Sequence, residues 1–378
     1  MSRRRAFAAS LVVLVAGGPA AAQTPPDRDT KLRDWQPAPM LKVKATEVRK
    51  AKFPVIDIHN HLGAGKDFLT PEKIGRYLEE MDAAGIRTVV DLDGGWGEKL
   101  KETIERLDVA HPGRFLTFAQ INFDGFGTEG WTERELANLE AGFKAGARGL
   151  KVHKSLGLGK RDVGGKPIAV DDPRIDPLWA LCGKLGKPIV IHTGDPSAFF
   201  TPADARNERL LQLVEHPDWS FHGGPFPPRA ELQAQRLRVI ARHPGTKFIC
   251  AHMANDGEDL AELAGWLDAH PNMYVGIDAR TSELGRQPYT TRRFILKYQD
   301  RVLFGTDATP DRGSFRTYIR FLETDDEYFP VSVGYERLRF WRIYGIFLPD
   351  EVLDKVYRRN AERLLRLGNV EQAAGGPP

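Results

Sequence analysis

The sequence predicts a (β/α)8 TIM barrel with a C-terminal helical extension. Three observations carry that prediction. Eight apolar, strand-like runs recur along the chain, each running out into a polar residue before a loop. Helix-length segments separate most of them, the alternation that makes βα units and a parallel sheet. Histidines and aspartates gather at the carboxyl ends of the runs, where a barrel of this kind carries its active site.

The runs, in order, are Pro54 to Gly63, Thr88 to Asp93, Phe115 to Asn122, Arg148 to His153, Pro188 to His192, Lys247 to His252, Met273 to Asp278 and Val302 to Asp307. Helices are expected over Thr70 to Ala84, Glu98 to Ala110, Thr132 to Ala145, Pro173 to Leu185 and Asp256 to His270. Eight units over about 250 residues match the usual barrel size. The segment Ser197 to Pro228, rich in Phe and Trp, is longer than an ordinary βα loop and reads as a lid. After the last run, Arg312 to Leu367 reads as helix-rich. The resulting division is 1–22, a signal peptide; 23–53, an N-terminal extension; 54–367, the barrel domain; and 368–378, a flexible tail.

Of the 378 residues, 41% are hydrophobic and 28% charged, as in globular proteins. Met1 to Arg5 is basic, Ala6 to Val15 apolar, and Ala20-Ala21-Ala22 precedes Gln23 with small residues. That order is a secretory signal, too short to span a bilayer, and it predicts a periplasmic or secreted protein. Its three arginines account for the whole charge excess: without them Lys plus Arg falls from 54 to 51, equal to the 51 acids. Neither nucleic-acid binding nor a membrane span after signal removal is expected. The two cysteines, Cys182 and Cys250, read as buried apolar residues rather than a disulfide.

In Asp57-Ile58-His59-Asn60-His61 the alternation of strand side chains puts His59 and His61 on one face. Two imidazoles so placed can take adjacent positions on one divalent ion. His192, His252 and Asp307 end three later runs, and a carboxylate in such a place needs cationic partners to stay ionised. His111, His216, His243 and His270 each precede a proline near an expected helix end and read as structural.

With these residues in place the chain resembles the amidohydrolase superfamily, in its amidohydrolase-related branch that includes decarboxylases of the aminocarboxymuconate-semialdehyde type. The resemblance rests on Asp57-Ile58-His59-Asn60-His61, His192, His252, Gly305-Thr306-Asp307 and the closing Asn360-Ala361-Glu362-Arg363-Leu364. It implies a fold of the metal-dependent hydrolase type, with metal ligation by His59, His61, His192 and Asp307. His252 would then stand beside the metal and polarise substrate or shuttle protons. One divalent ion, Zn2+, is expected. A second ion bridged by carboxylated Lys151 is the less favoured arrangement; in that case His252 binds it.

Asp307 and His252 are therefore the expected catalytic pair. Arg280, after the seventh run, is placed to clamp a substrate carboxylate. His153 and His222 are further substrate-binding candidates. The leading reading is an exported hydrolase that attacks an amide, ester or lactone with metal-activated water. The alternative is a lyase on the same site, a non-oxidative decarboxylase or hydratase, because the scaffold serves both chemistries. A small molecule is the expected partner, and a homodimer is left open.

Overall fold

The computed structural model describes residues 29–31, 34, 38–331 and 341–367. The expected signal peptide and C-terminal tail lie outside the described residues. Two compact units are distinguished, Met1–Leu41 and Lys42–Pro378, and the second contains all the elements below. Among the described residues no helix is long and apolar enough to cross a membrane.

Among the described residues, nine strands form the parallel framework: β1 (Val55–Asn60), β2 (Ile86–Asp91), β3 (Phe115–Thr117), β4 (Ala119–Gln120), β5 (Leu150–Val152), β6 (Ile189–Ile191), β7 (Phe248–Cys250), β8 (Met273–Gly276) and β9 (Val302–Leu303). The ladders run β1-β2-β3 and β4-β5-β6-β7-β8-β9, every pairing parallel. The third expected run is split at Phe118, where the backbone changes partners. Phe118 N–H donates to Asp91 C=O at 2.9 Å, and Ala119 N–H donates to Gly149 C=O at 3.0 Å. At the other margin Ile58 N–H donates to Phe304 C=O (3.1 Å) and Asp307 N–H to His59 C=O (2.9 Å), joining the first run to the eighth. The architecture is the (β/α)8 barrel that the alternation predicts.

The helices follow from local chemistry. Pro71–Ala84 starts with Pro71 behind Thr70, whose hydroxyl caps Lys73 N–H, and stops at Gly85 in the left-handed region (φ 79°). It buries Ile74, Tyr77, Met81 and Ala84, spaced three and four apart on one face. Leu260–Ala269 starts later than the expected Asp256, because Asp259 supplies the cap, accepting from Ala261 and Glu262 N–H. Helices Gly97–Ile104, Trp131–Ala145 and Asp176–Leu185 fall inside or within a residue of the expected segments.

Alternate strand residues feed two cores. Ile189, Ile191, Phe248, Cys250, Met273 and Val275 pack in one cluster with helix residues such as Trp179 and Cys182. Val190, Ile249, Tyr274 and Leu303 pack in the other, with Ala361, Leu364 and Leu365 of the closing helix Asn360–Leu365. Both cysteines are free and buried. The C-terminal region holds helix Arg312–Glu323, a two-residue antiparallel pairing of β10 (Phe329–Pro330) with β11 (Arg342–Ile343), and the helical stretch from Asp350. Thr46 fastens the start of this unit to Asp326 through its N–H and its hydroxyl, both at 2.7 Å.

Candidate active site

His59 lies within β1, but most of the other reactive residues lie beyond the strand ends. His61, His192, His252 and Asp307 all stand one to four residues past their strands, where the turn aims the side chain. The residues from His252 to Asn255 have φ of 58°, 52°, 58° and 52°, and Asp307 has 62°. Left-handed turns, not strand alternation, therefore orient His252 and Asp307. Such backbone is costly for residues with a Cβ and persists only where surroundings enforce it. Asn255 does so from within the turn, its amide donating to Thr193 and Gly194 carbonyls at 3.0 Å. Buried Arg236 adds a bond from Nη1 to Ala254 C=O at 2.7 Å.

Asp307 Oδ1 lies 3.2 Å from both His59 Nε2 and His61 Nε2. Each of these rings turns its other nitrogen to a second carboxylate: His61 Nδ1 lies 2.7 Å from Asp93 Oδ1, and His59 Nδ1 2.8 Å from Asp278 Oδ2. Asp278 also accepts the His252 N–H at 2.7 Å and lies 3.0 Å from His252 Nδ1. Two small residues make room for it. A Cβ at Gly276 would overlap Asp278 Oδ1, and one at Gly305 would stand 3.0 Å from it.

Among the described residues, two donor sets are thus close enough to hold a metal ion: His59, His61 and Asp307, and His59, His252 and Asp278. A divalent ion with bonds of about 2.1 Å places neighbouring donors roughly 3.0–3.4 Å apart, so the 3.2 Å separations in the first set suit one. Imidazoles whose far nitrogens are engaged by carboxylates are the usual companions of a bound metal. The donor chemistry therefore fits a divalent metal ion.

The electrostatics follow from burial and from these pairings. Burial and the Lys151 charge push His59 down to about 4. Burial opposes charge on His61 too, but Asp307 and Asp93 outweigh it and raise that ring to about 9. Burial also opposes ionisation of Asp307, yet His252, His59 and His61 hold it well below the usual carboxylate range. Lys151 is fully buried with Nζ 3.1 Å from His59 Nε2, and burial lowers it to about 8. Asp57 does not join the donors. Burial raises it to about 7, and it braces Thr306, whose hydroxyl donates to Oδ2 at 2.6 Å.

Above the donors opens a cavity of about 550 Å3. His61, His192, His252 and Asp307 line it together with His153 and Arg280, so six of the expected site residues meet at one place. His192 stands outside both donor triplets. Its Nδ1 lies 3.2 Å from His252 Nε2, while its buried Nε2 has no hydrogen-bond partner. His222, also expected to bind substrate, is exposed and absent from the cavity lining. The aromatic neighbours of its loop pack on one another, Phe221 tilted against Phe200 and edge-on to Phe226, and His222 is left at the turn. The long segment from Ser197 is built into the wall as short helical turns that bring Phe199, Arg209 and Trp219 to the cavity.

Sequence reasoning missed Asp93, Asp278, Lys154, Asp195 and Arg209. The first two end the second and seventh runs, a position that could have marked them. Lys154 and Asp195 form a pair at 2.7 Å on the wall. Arg209 carried no signal, lying among Asp204, Arg206 and Glu208 in a long loop.

The model of the amidohydrolase family Amidohydro_2 matches residues 56–367. The chain belongs to this family. Its similarity extends to the branch with decarboxylases that the sequence resembles. Gamma-resorcylate decarboxylase from a Rhizobium species is 24% identical over 318 residues, covering 77% of this chain and 86% of that enzyme. The enzyme of the same name from Rhodococcus jostii is 26% identical over 222 residues, and the match spans 56% of its length. Among solved structures, a dihydroxybenzoic acid decarboxylase from Polaromonas with bound manganese and 2-nitroresorcinol matches at TM-score 0.51 and 17% identity, covering 85% of this chain and all of that one. A 4-oxalomesaconate hydratase from Rhodopseudomonas palustris matches at TM-score 0.51 and 13% identity, covering 85% and 98%. At these identities the two structures establish the family's fold. The chain is an enzyme of the amidohydrolase superfamily with a candidate metal site; the names of its relatives agree with the lyase alternative rather than with the hydrolase reading.

Proposed function

We propose that the chain is a metal-dependent, non-oxidative decarboxylase of a small aromatic carboxylate. The observation that carries this reading is the cavity wall: Lys154, Arg209 and Arg280 line it alongside Phe199 and Trp219. Guanidinium groups recognise carboxylates, and aromatic walls accept a flat ring. A neutral amide, ester or lactone needs no such cations. The relatives named gamma-resorcylate decarboxylase support the same chemistry.

In this reading His59, His61 and Asp307 would hold a divalent ion, His192 and His252 stand close to these donors, and Asp93 and Asp278 orient the ligand rings. When bound, a divalent ion supplies Lewis acidity that holds substrate oxygens and offsets negative charge developing in the ring. The protein's part is proton management. Loss of CO2 leaves an electron pair on the ring carbon, which must be protonated there. His252 and Asp307, both lining the cavity, are the groups placed to carry that proton. Aromatic walls keep bulk water from the reacting carbon.

The test is to load the protein with Mn2+ or Zn2+ and supply gamma-resorcylate and other hydroxybenzoates in D2O. CO2 release with one deuterium at the vacated carbon is the expected result. Hydrolysis of a lactone, ester or amide panel, with no CO2 from any carboxylate, would return the assignment to a hydrolase.

A further inference from the structure

The cavity wall carries a donor and an acceptor that the metal donors do not use. Lys154 and Asp195 both line it. Lys154 stands two residues past β5 and Asp195 four past β6, the strands of the fourth and fifth runs. In a closed barrel of eight runs these lie across the mouth from the first and eighth, which bring His61 and Asp307 to the same cavity. Asp195 Oδ2 accepts from Lys154 Nζ at 2.7 Å, and the Asp195 side chain is only 6% exposed. Among the described residues Asp195 Oδ1 accepts no hydrogen bond; His192 Nε2, at 3.7 Å, is too far to give one. Lys154 Nζ has Asp195 as its one hydrogen-bond acceptor among the described residues, and it stands over the Trp219 ring, 5.6 Å from the centroid. That ring is itself held, stacked on His216 at 4.1 Å and tilted against Phe199 at 5.8 Å.

An ion pair is neutral as a whole and calls for no charged ligand. A carboxylate laid on it would meet Asp195 as well as Lys154. What the pair leaves unused, Oδ1 and the remaining ammonium protons, suits a group that donates and accepts at one atom, which is a hydroxyl. A nearly buried carboxylate oxygen without a partner is costly, and a hydroxyl that donates to it offsets that cost. We infer that the substrate ring carries a hydroxyl on the edge away from the departing carboxylate, at the 3- or 4-position, held by Lys154 Nζ and Asp195 Oδ1. The inference rests on the decarboxylase reading for what happens at the metal end, but the hydroxyl subsite is defined by binding alone.

The experiment is calorimetric titration of the metal-loaded full chain with benzoate, 3- and 4-hydroxybenzoate and the two matching methoxybenzoates. At least one hydroxybenzoate should bind about tenfold or more tightly than benzoate, the gain expected of hydrogen bonds to charged groups. Its methyl ether, which can accept from Lys154 but cannot donate to Asp195, should lose most of that gain. Replacing the pair by apolar residues of similar shape, Lys154→Met with Asp195→Leu, should erase the gain without leaving either charge buried alone. Circular dichroism shows whether the double variant folds, and the comparison of hydroxyl with methyl ether stands without it. Affinities for benzoate and both hydroxybenzoates within about twofold overturn the subsite, as does a gain that survives in the methyl ethers or in the folded double variant. A protein that prefers a hydroxybenzoate in this way yet releases CO2 from no carboxylate loses the decarboxylase reading and keeps the subsite. One that decarboxylates gamma-resorcylate without that preference does the reverse.

Discussion

Asp93 is the residue where the site's chemistry is most exposed to test. It accepts Gly63 N–H at 3.0 Å and pairs with His61 Nδ1, so it fixes a ring whose other nitrogen faces Asp307. A carboxylate in that position raises ligand basicity and holds one tautomer. Asp93→Ala should weaken metal binding by about 10–100-fold, the usual cost of losing such a partner. His59→Ala should abolish binding, since His59 belongs to both donor sets. Competition with a chelating dye measures both; an Asp93→Ala protein with unchanged affinity would remove Asp93 from this role. Asp307→Asn tests the proton carrier. It keeps the shape but lowers basicity, and kcat should fall on the order of 10²–10⁴-fold. Measured with metal content alongside, a near wild-type kcat at full metal would take Asp307 out of the chemistry.

The element that matters most is the left-handed turn from His252 to Asn255. Asparagine tolerates this backbone better than most residues, and here its side chain also makes three buried hydrogen bonds. At about 1 kcal/mol for each bond, Asn255→Ala should cost on the order of 3 kcal/mol. Urea unfolding reads that cost, and His252 should lose its fixed place, so kcat should fall even where the variant is folded. A variant with stability and kcat both near wild type would mean that Arg236 and Asp278 hold the turn unaided.

For the whole molecule, acid should be destabilising in a definable window. Arg312 bonds hold Glu80 below the usual carboxylate range. Asp326 is lowered too, the Thr46 and Arg320 bonds outweighing its burial. A carboxylate whose pKa is lower folded than unfolded contributes stability above its unfolded value, and that contribution is lost as pH falls through the folded value. The urea midpoint should therefore drop between about pH 5 and pH 2, and Glu80→Gln should flatten part of that drop. A midpoint constant over this range would contradict these pairings. Export is the other prediction at this scale: with the order of Met1 to Ala22, N-terminal sequencing of protein from its native host should begin at Gln23. Intact Met1 or Ser2 on active cytosolic protein would contradict it.

What the sequence by itself determined is the repeating part. Run length, β-branched content and helix caps are local, so the βα alternation and the placement of most helices were legible without coordinates. The strand-end rule then located His59, His61, His192, His252 and Asp307, because a parallel barrel brings all carboxyl ends to one rim. Tertiary structure alone decided how these residues divide their contacts. Asp278 orients His59 and His252 only because Gly276, at the end of β8, and Gly305, just past β9, leave space for its carboxylate. Asp93 reaches His61 across the β1–β2 pairing, and Arg209 meets Glu283 only because a long loop folds back onto the helix that starts at Thr281. Turn handedness and buried charge balance depend on groups far apart in the chain, and no local pattern encodes them.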